Sequence, residues 1–365
     1  KVGVAPYNYL CGGQLTSCVP QPGTGNRLDA QGDKIMTRVV YRPSRRTALH
    51  YRMSLLNARE TSAVTALAAG RLPPDRLKAR VPAPARRARL LEIAYELLSY
   101  KETTGQMPRT RAETLGYRLL AARSALGTPP ETDTVIPEPP VRPDQGHRPA
   151  RVALGFGMAD GRWFQQLQLR PAYHDLLDPP GGYIPGAQIK FMDLTLRHYD
   201  DRGIVRVESL HAVDIVSLTP VSALKTPISW KIDAGLIRHH RSKYDNPLDM
   251  HLNGGAGLTW APTDATLAFA MLEGTLDAGD GLTGSYALGL GPEAGLLADF
   301  GHWGRALAKA RLTRFGLGDQ YSRRQYSLEQ RMPVLHSAAV DLRLVRTIEF
   351  GRAWNAAGLS FHYYF

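Results

Sequence analysis

Two hydrophobic periods divide this chain. Between about residue 41 and residue 128, apolar side chains recur at helical spacing; after Pro149 they recur at every second position. In the first stretch, Pro43 and Ser44 open a helix that carries Leu49, Met53 and Leu56 on one face. A second short helix is predicted with Thr61 or Ser62 as its cap, Val64, Leu67 and Ala68 as its apolar face, and Gly70 as its stop. The clearest stripe, Leu90, Ile93, Ala94, Leu97 and Leu98, predicts a helix over 85–101 with Arg86, Arg87, Glu92 and Glu96 mostly outside it. Ala112, Leu115, Leu119 and Ala122 predict another over 108–126. These stripes read as the core of a small helical domain at 41–128, preceded by an irregular Gly- and Pro-rich segment at 1–40.

Residues 129–149 hold seven prolines and read as an extended linker. From 150 to 365 the alternation takes over. Val152, Leu154, Phe156 and Met158 alternate with small residues, and Trp163, Leu167 and Leu169 alternate with Gln166, Gln168 and Arg170. Trp230, Ile232, Ala234 and Leu236 oppose Lys231, Asp233 and Gly235, and Leu248, Met250, Leu252, Leu258 and Trp260 oppose Asp249, His251, Asn253 and Thr259. Leu267, Phe269 and Met271 continue the apolar face, as do Tyr286, Leu288 and Leu290 and then Leu342 and Leu344.

Such strands build either a soluble sandwich with an apolar interior or an inverted barrel with its apolar face toward lipid. Polar and charged residues deep within strands, and an ending LSFHYYF with Leu359, Phe361, Tyr363 and Phe365 on one face, favour the second. The expectation is a mainly β protein with a helical N-terminal part: an antiparallel transmembrane barrel of about twelve strands and a small α-helical periplasmic domain. The strands are placed near 150–159, 162–171, 186–199, 203–218, 227–240, 247–260, 264–276, 281–291, 302–315, 319–331, 334–348 and 352–365, with room for another in GPEAGLLADFGHW. The aromatic ending is similar to the insertion signal of outer-membrane barrels, so Phe361, Tyr363 and Phe365 are expected to meet the barrel insertion machinery as well as outer-membrane lipid.

Composition sharpens this picture in three ways. No stretch approaches the ~20 apolar residues of a membrane helix, a test that barrels escape. KVGVAPYNYLCGG has neither the basic nor the apolar region of a signal peptide, so a mature or truncated front is expected. The net charge of +12 is uneven: residues 1–149 hold 23 Lys and Arg against 12 Asp and Glu, and the remainder 22 against 21. The basic front is either a solvated surface or a match for an anionic lipid surface, and no motif points to nucleic acid. Cys11 and Cys18 are expected to form a disulfide in an oxidising periplasm, since no histidine lies nearby in sequence to make either a catalytic thiol.

Two groups could carry chemistry. Tyr173, His174, Asp175 and Asp178, in a loop bent by Pro179, Pro180, Gly181 and Gly182, form either an acid/base or ligand site at the barrel mouth, or a plug or packed periplasmic turn. Ser209, His211, Asp214 and His251 could line a lumen, and a lipid hydrolase would need such groups to converge on one rim. No phosphate loop, paired-carboxylate motif or metal spacing is present, so no cofactor is expected.

The strings YRPSRRTAL, RLLEIAYELL, RPAYHDLLDPPGGYIPGAQIKF and ESLHAVDIVSL make the chain resemble a family of proteobacterial envelope proteins. In that family an Lnb-type periplasmic domain precedes a helical segment and a C-terminal barrel-like domain, and the resemblance spans roughly residues 36 to 365. It implies an upstream Cys–His thiol centre. Here that region is missing or reduced to residues 1–40, and YNYLCGG departs from an Asn-Cys nucleophile motif, so no catalytic role passes to Cys11. The function expected is an outer-membrane barrel anchoring a periplasmic helical module. The alternative is an envelope lipid- or lipoprotein-modifying enzyme, an acyltransferase or hydrolase.

Overall fold

A computed structural model describes residues 43–127, 135–141, 145–201, 203–222, 226–242 and 245–365, together with the backbone of two short paired strands at 27–28 and 34–35. Cys11 and Cys18 lie outside the described residues. The chain divides into two compact units, 1–140 and 141–365.

The first unit is helical. Helix α1 (Arg45–Ser54) is capped by Ser44, whose side chain accepts from the Thr47 N–H, and it buries Leu49 and Met53. Helix α2 (Ala58–Ala68) starts earlier than its Thr and Ser residues suggest. Asn57 is the cap, and a reciprocal pair of bonds with Glu60 satisfies two backbone donors that the first turn would otherwise leave unpaired. Val64, Leu67 and Ala68 are buried as expected, and Gly70 ends the helix at φ +72°. A 3-10 turn at Pro74–Ala79, which has no periodic signal, contributes Leu77 to the core. Helix α3 (Pro84–Thr103) buries the whole predicted stripe, and α4 (Arg109–Ser124) packs Ala112, Gly116 and Leu119 inward.

The second unit is a ring of twelve antiparallel strands: β1 (Arg151–Ala159), β2 (Arg162–Arg170), β3 (Ala187–Tyr199), β4 (Ile204–Ser217), β5 (Ser229–Arg238), β6 (Leu248–Thr263), β7 (Thr266–Ala278), β8 (Tyr286–Asp299), β9 (Arg305–Gly318), β10 (Tyr321–Leu335), β11 (Ala338–Glu349) and β12 (Arg352–Tyr364). Two pairings that skip along the chain close it. β2 pairs with β3, and β12 pairs with β1 in the register Phe361 to Leu154 and Tyr363 to Val152. The ring therefore has no free edge, which is the condition for strands to stand in hydrocarbon. GPEAGLLADFGHW is not an extra strand. Its first nine residues complete β8, which runs eight residues further than the predicted 281–291 and carries Pro292 outward.

The pleat puts apolar side chains outside. Leu154, Phe156, Trp163, Met250, Leu252, Leu290 and Leu328 are exposed on the outer face, while Arg151, Asp193, Lys231, His251, Glu273 and Arg323 are buried within. Aromatic residues gather at both ends of this band, with Trp230, Trp260, Trp303 and Tyr363 at the end where the chain passes into and out of the barrel, and Trp163, Tyr286 and Tyr326 toward the other. One stripe departs from the expectation. Phe269 and Met271 point inward, each 4 % exposed, and Leu272 takes the outer position at 65 %. Their burial has a specific cause: Leu176 and Leu177, from the connection between β2 and β3, pack against them together with Leu218, Leu297 and Leu307.

Candidate functional site

The connection 171–186 turns into the barrel mouth instead of away from it. A three-residue strand, Ala172–His174, pairs with β3, and the chain then bends so that Leu176 and Leu177 enter the apolar cluster and Asp175 and Asp178 face the lumen. Gly186 closes the excursion at φ +75°; a Cβ there would lie 2.3 Å from the Leu218 carbonyl oxygen.

The two carboxylates are held by three guanidinium groups from different strands. Arg151 donates to Asp175 Oδ2 at 2.6 Å, Arg170 lies 2.7 Å from Asp178 Oδ2, and Arg331 reaches both residues at 2.7 Å. Arg331 also donates to Asp341, and the Tyr364 hydroxyl donates to Asp178 Oδ1 at 2.7 Å. Burial raises the affinity of the Asp175 carboxyl for its proton. Arg331, Arg151 and Arg170 outweigh that effect and hold it well below the ordinary carboxylate range. Asp178 is held low by the same guanidiniums against burial and the charge of Asp175.

Beside them stand three stacked rings. His147 Nε2 is 2.9 Å from His174 Nδ1, His147 Nδ1 bonds the Arg148 carbonyl, and Tyr183 lies parallel to His174 with centroids 4.1 Å apart. Burial lowers both histidines, His174 to about 4, so the imidazoles are neutral at neutral pH. His147, His174 and Asp178 bring potential metal-ligating atoms together. Asp178 Oδ2, however, already accepts from Arg170 and from the Asp175 N–H, and the imidazoles bond each other. A carboxylate oxygen with both lone pairs engaged would have to release Arg170 to ligate a metal. The arrangement as it stands is a lock.

The other predicted residues lie along the lumen. His211 and His251 flank Gly235 in register; His211 bonds Asp233 at 2.8 Å and His251 bonds Asp277 at 2.6 Å. Asp214 joins His211 and Asp233 in a second potential metal-ligating group, but Lys190 sits 2.7 Å from its carboxylate and already neutralises it. Among the described residues Ser209 bonds neither histidine, so the four do not converge as a hydrolase triad. A chamber of about 330 Å³ remains between charged chords such as Lys231 to Glu273 and Arg311 to Glu293.

The second mouth is also spanned. The connection between β5 and β6 carries buried His239 and His240. The His240 N–H donates to Glu349 at 2.6 Å and its ring stacks on Trp354 at 3.9 Å, on the opposite side of the ring of strands. Arg323 bonds His239, Asp277 and Glu349. His147, Arg151, Arg331, His239 and Tyr364 have no motif in the sequence; the signal that was present is the recurrence of Arg at inward positions near strand ends. Phe361, Tyr363 and Phe365 face outward, as the alternation requires.

A closed twelve-strand ring, apolar outside and ionic inside, has the fold of an outer-membrane β-barrel. Residues 140–364 match the family described as Domain of unknown function (DUF7840), and the chain belongs to that family. Residues 39–135 match a second description, Domain of unknown function (DUF7842). No curated protein matches the chain. Similar solved structures include an outer membrane channel from Pseudomonas putida F1 (9% identity, 64% of this chain and 100% of that one, TM-score 0.38). Others are the KdgM porin (10%, 59% and 99%, 0.32) and the outer membrane phospholipase A from Escherichia coli (8%, 60% and 97%, 0.32). The barrel assignment rests on this chain's own strand pairing.

Proposed function

We propose that the chain is an outer-membrane barrel with a closed lumen that anchors its helical unit on the periplasmic face. The observation that carries this reading is the double closure: Arg331 locked to Asp175 and Asp178 at one mouth, and His240 joined to Glu349 and Trp354 at the other. An open pore needs a continuous water path, and a buried ion-pair lock at one mouth with a buried hydrogen bond and ring stack across the other obstruct one. β1 begins and β12 finishes at the same end of the barrel, the periplasmic end by the usual topology of such barrels, and the helical unit precedes β1 in the chain. Single-channel recording of the full chain in a planar bilayer is expected to show no sustained open current. A steady conductance from the wild type would overturn the closed-lumen reading. In cells, the protein is expected in the outer-membrane fraction, with the helical unit shielded from protease until that membrane is permeabilised.

One contact favours a second reading, a hydrolase or acyltransferase of lipid or lipoprotein, the activity class the Lnb-type resemblance implies. Ser360 Oγ lies 2.8 Å from His362 Nε2 on the lumen face of β12. His362 Nδ1 has no hydrogen-bond partner among the described residues, so the orienting group of a triad is absent. Labelling by a fluorophosphonate, lost in Ser360→Ala, would favour this reading; an unlabelled wild type would remove it.

A further inference from the structure

The outer wall carries a row of charge. On β9, β10 and β11, Arg314, Arg324 and Arg346 stand among lipid-facing residues. Arg314 is in register with exposed Leu290, Arg324 with exposed Leu312, and Arg346 with exposed Tyr326. All three are exposed, and none has an ion-pair or hydrogen-bond partner among the described residues. They lie toward the end of the barrel opposite the one where β1 begins and β12 finishes. Arg314 is level with Ser322, Arg324 stands two residues further along β10, and Arg346 is level with Tyr326, two residues further again. Strand geometry then spaces successive arginines by about 8 Å, in a diagonal row of roughly 16 Å.

Below and beside this row the wall is concave. Tyr326 and Leu328 on β10 form one side and Met158 on β1 the other, while Ala357 and Leu344 form an apolar floor between them. Small residues on β12 between bulky neighbours make the hollow, a groove of about 640 Å³ with Arg346, Asn355 and Asp160, whose carboxylate is paired with Arg352, at its polar part. An unpaired guanidinium on a lipid-facing surface is tolerated near the interface, where its stem lies along apolar side chains and its head reaches the polar zone. A row of three without a carboxylate partner asks for anions from outside the chain, and phosphate suits the planar fork of arginine.

We propose that this wall binds a lipid bearing phosphates at both ends of a sugar headgroup, the chemistry of lipid A in lipopolysaccharide. One acyl chain lies in the groove, and the phosphates meet Arg346 and the Arg324–Arg314 end of the row. A glycerophospholipid, with a single phosphate, would engage one arginine and leave the others unmatched. The inference rests on the outer-membrane reading, because that orientation puts the row in the leaflet facing away from the periplasm.

The test is native mass spectrometry of the full-length folded barrel in a phosphate-free detergent, titrated with diphosphorylated lipid A, monophosphorylated lipid A and phosphatidylglycerol. The wild type is expected to bind the diphosphorylated lipid at least about tenfold more tightly than phosphatidylglycerol, with the monophosphorylated form between. Arg314→Gln with Arg324→Gln and Arg346→Gln should abolish that order, and Ala357→Trp should weaken all three lipids while leaving the arginines in place. Heat-modifiable mobility confirms folding of each variant, and Arg346→Gln alone serves if the triple change does not fold. Equal binding of the three lipids by the wild type, or an unchanged order in the triple variant, would overturn the proposal. Failure here leaves the outer-membrane reading standing, since that reading is tested by fractionation.

Discussion

Arg331 shows how much a single side chain can be asked to hold. It reaches Asp175, Asp178 and Asp341 from β10, so Arg331→Met would leave carboxylates buried and short of charge. Breaking a buried pair from one side costs ~3–5 kcal/mol, and a drop of that order is expected in urea unfolding followed by gel mobility. Tyr364→Phe removes one bond to a charged acceptor and is expected to cost about 1.5–3 kcal/mol by the same measurement. The histidines set a pH window. His174 is held at about 4 by burial, so between its ordinary value near 6.5 and about 4 the unfolded chain binds a proton that the folded chain refuses. Stability is therefore full above about pH 6.5 and falls as the pH drops toward 4. His147 and His240 are lowered by burial in the same direction. Asp175 and Asp178 are shifted down, so their contribution is complete above about pH 4 and is lost only below it. The urea midpoint is expected to be lower at about pH 5 than at about pH 7.5 in the wild type, with a smaller difference in His174→Gln; parallel curves would exclude the mechanism.

At the scale of elements, the faces of β7 and β12 separate what lipid accepts from what the interior requires. Phe269 sits in the apolar cluster under Leu176 and Leu177, so Phe269→Ala is expected to cost ~3–5 kcal/mol, whereas Leu272→Ala on the outer face should stay within about 1 kcal/mol. An outcome in which the two cost the same would mean the inward turn of β7 is wrong. On β12, Phe361 and Tyr363 face outward while Tyr364 is bonded to Asp178 and His362 is buried. Phe361→Asp is expected to lower the yield of heat-modifiable barrel. Because a charge near the interface costs only ~0–1 kcal/mol, a large loss would point to recognition by the insertion machinery. Tyr364, on the inward face, belongs to the lumen lock through its bond to Asp178, so its substitution carries the separate cost given above. In the helical unit, Asn57→Ala removes the side-chain half of the capping box, the acceptor of the Glu60 N–H, and should loosen α2 by about 1 kcal/mol, read as faster amide exchange over its first turn.

For the whole molecule, closure of the ring and filling of the lumen answer different demands. The ring satisfies every strand edge in a medium without water. The lumen, shielded from lipid, can hold charge, and this chain uses it for chords of opposite sign. The balance of basic and acidic residues after 149 is near even, while the excess lies before it. That excess is expected to draw the helical segment 41–128 to anionic vesicles at low salt and to release it at high salt. Equal binding to neutral vesicles would reduce the charge to a solvated surface.

Periodicity determined the elements. A period of two with Phe361, Tyr363 and Phe365 on one face is enough for a lipid-facing strand, because the pleat sends alternate residues to opposite sides whatever the partner strand is. The stripe of α3 is legible for the same reason at helical spacing. Asn57 was missed because a cap competes with nearby Thr and Ser of similar propensity, and only the Glu60 contact decides between them. The candidate site was legible in part. RPAYHDLLDPPGG is too long and too polar for a turn, and His174, Asp175 and Asp178 do come together. What they meet could not be read. Arg331 is 153 residues from Asp178, and His240 is 109 residues from Glu349, so these contacts exist only once strand order brings opposite walls of the ring together. The inward face of Phe269 was hidden by the same cause. Local pattern records which residues share a face; which face is buried depends on what tertiary structure places against it, and here that is a loop folded into the barrel.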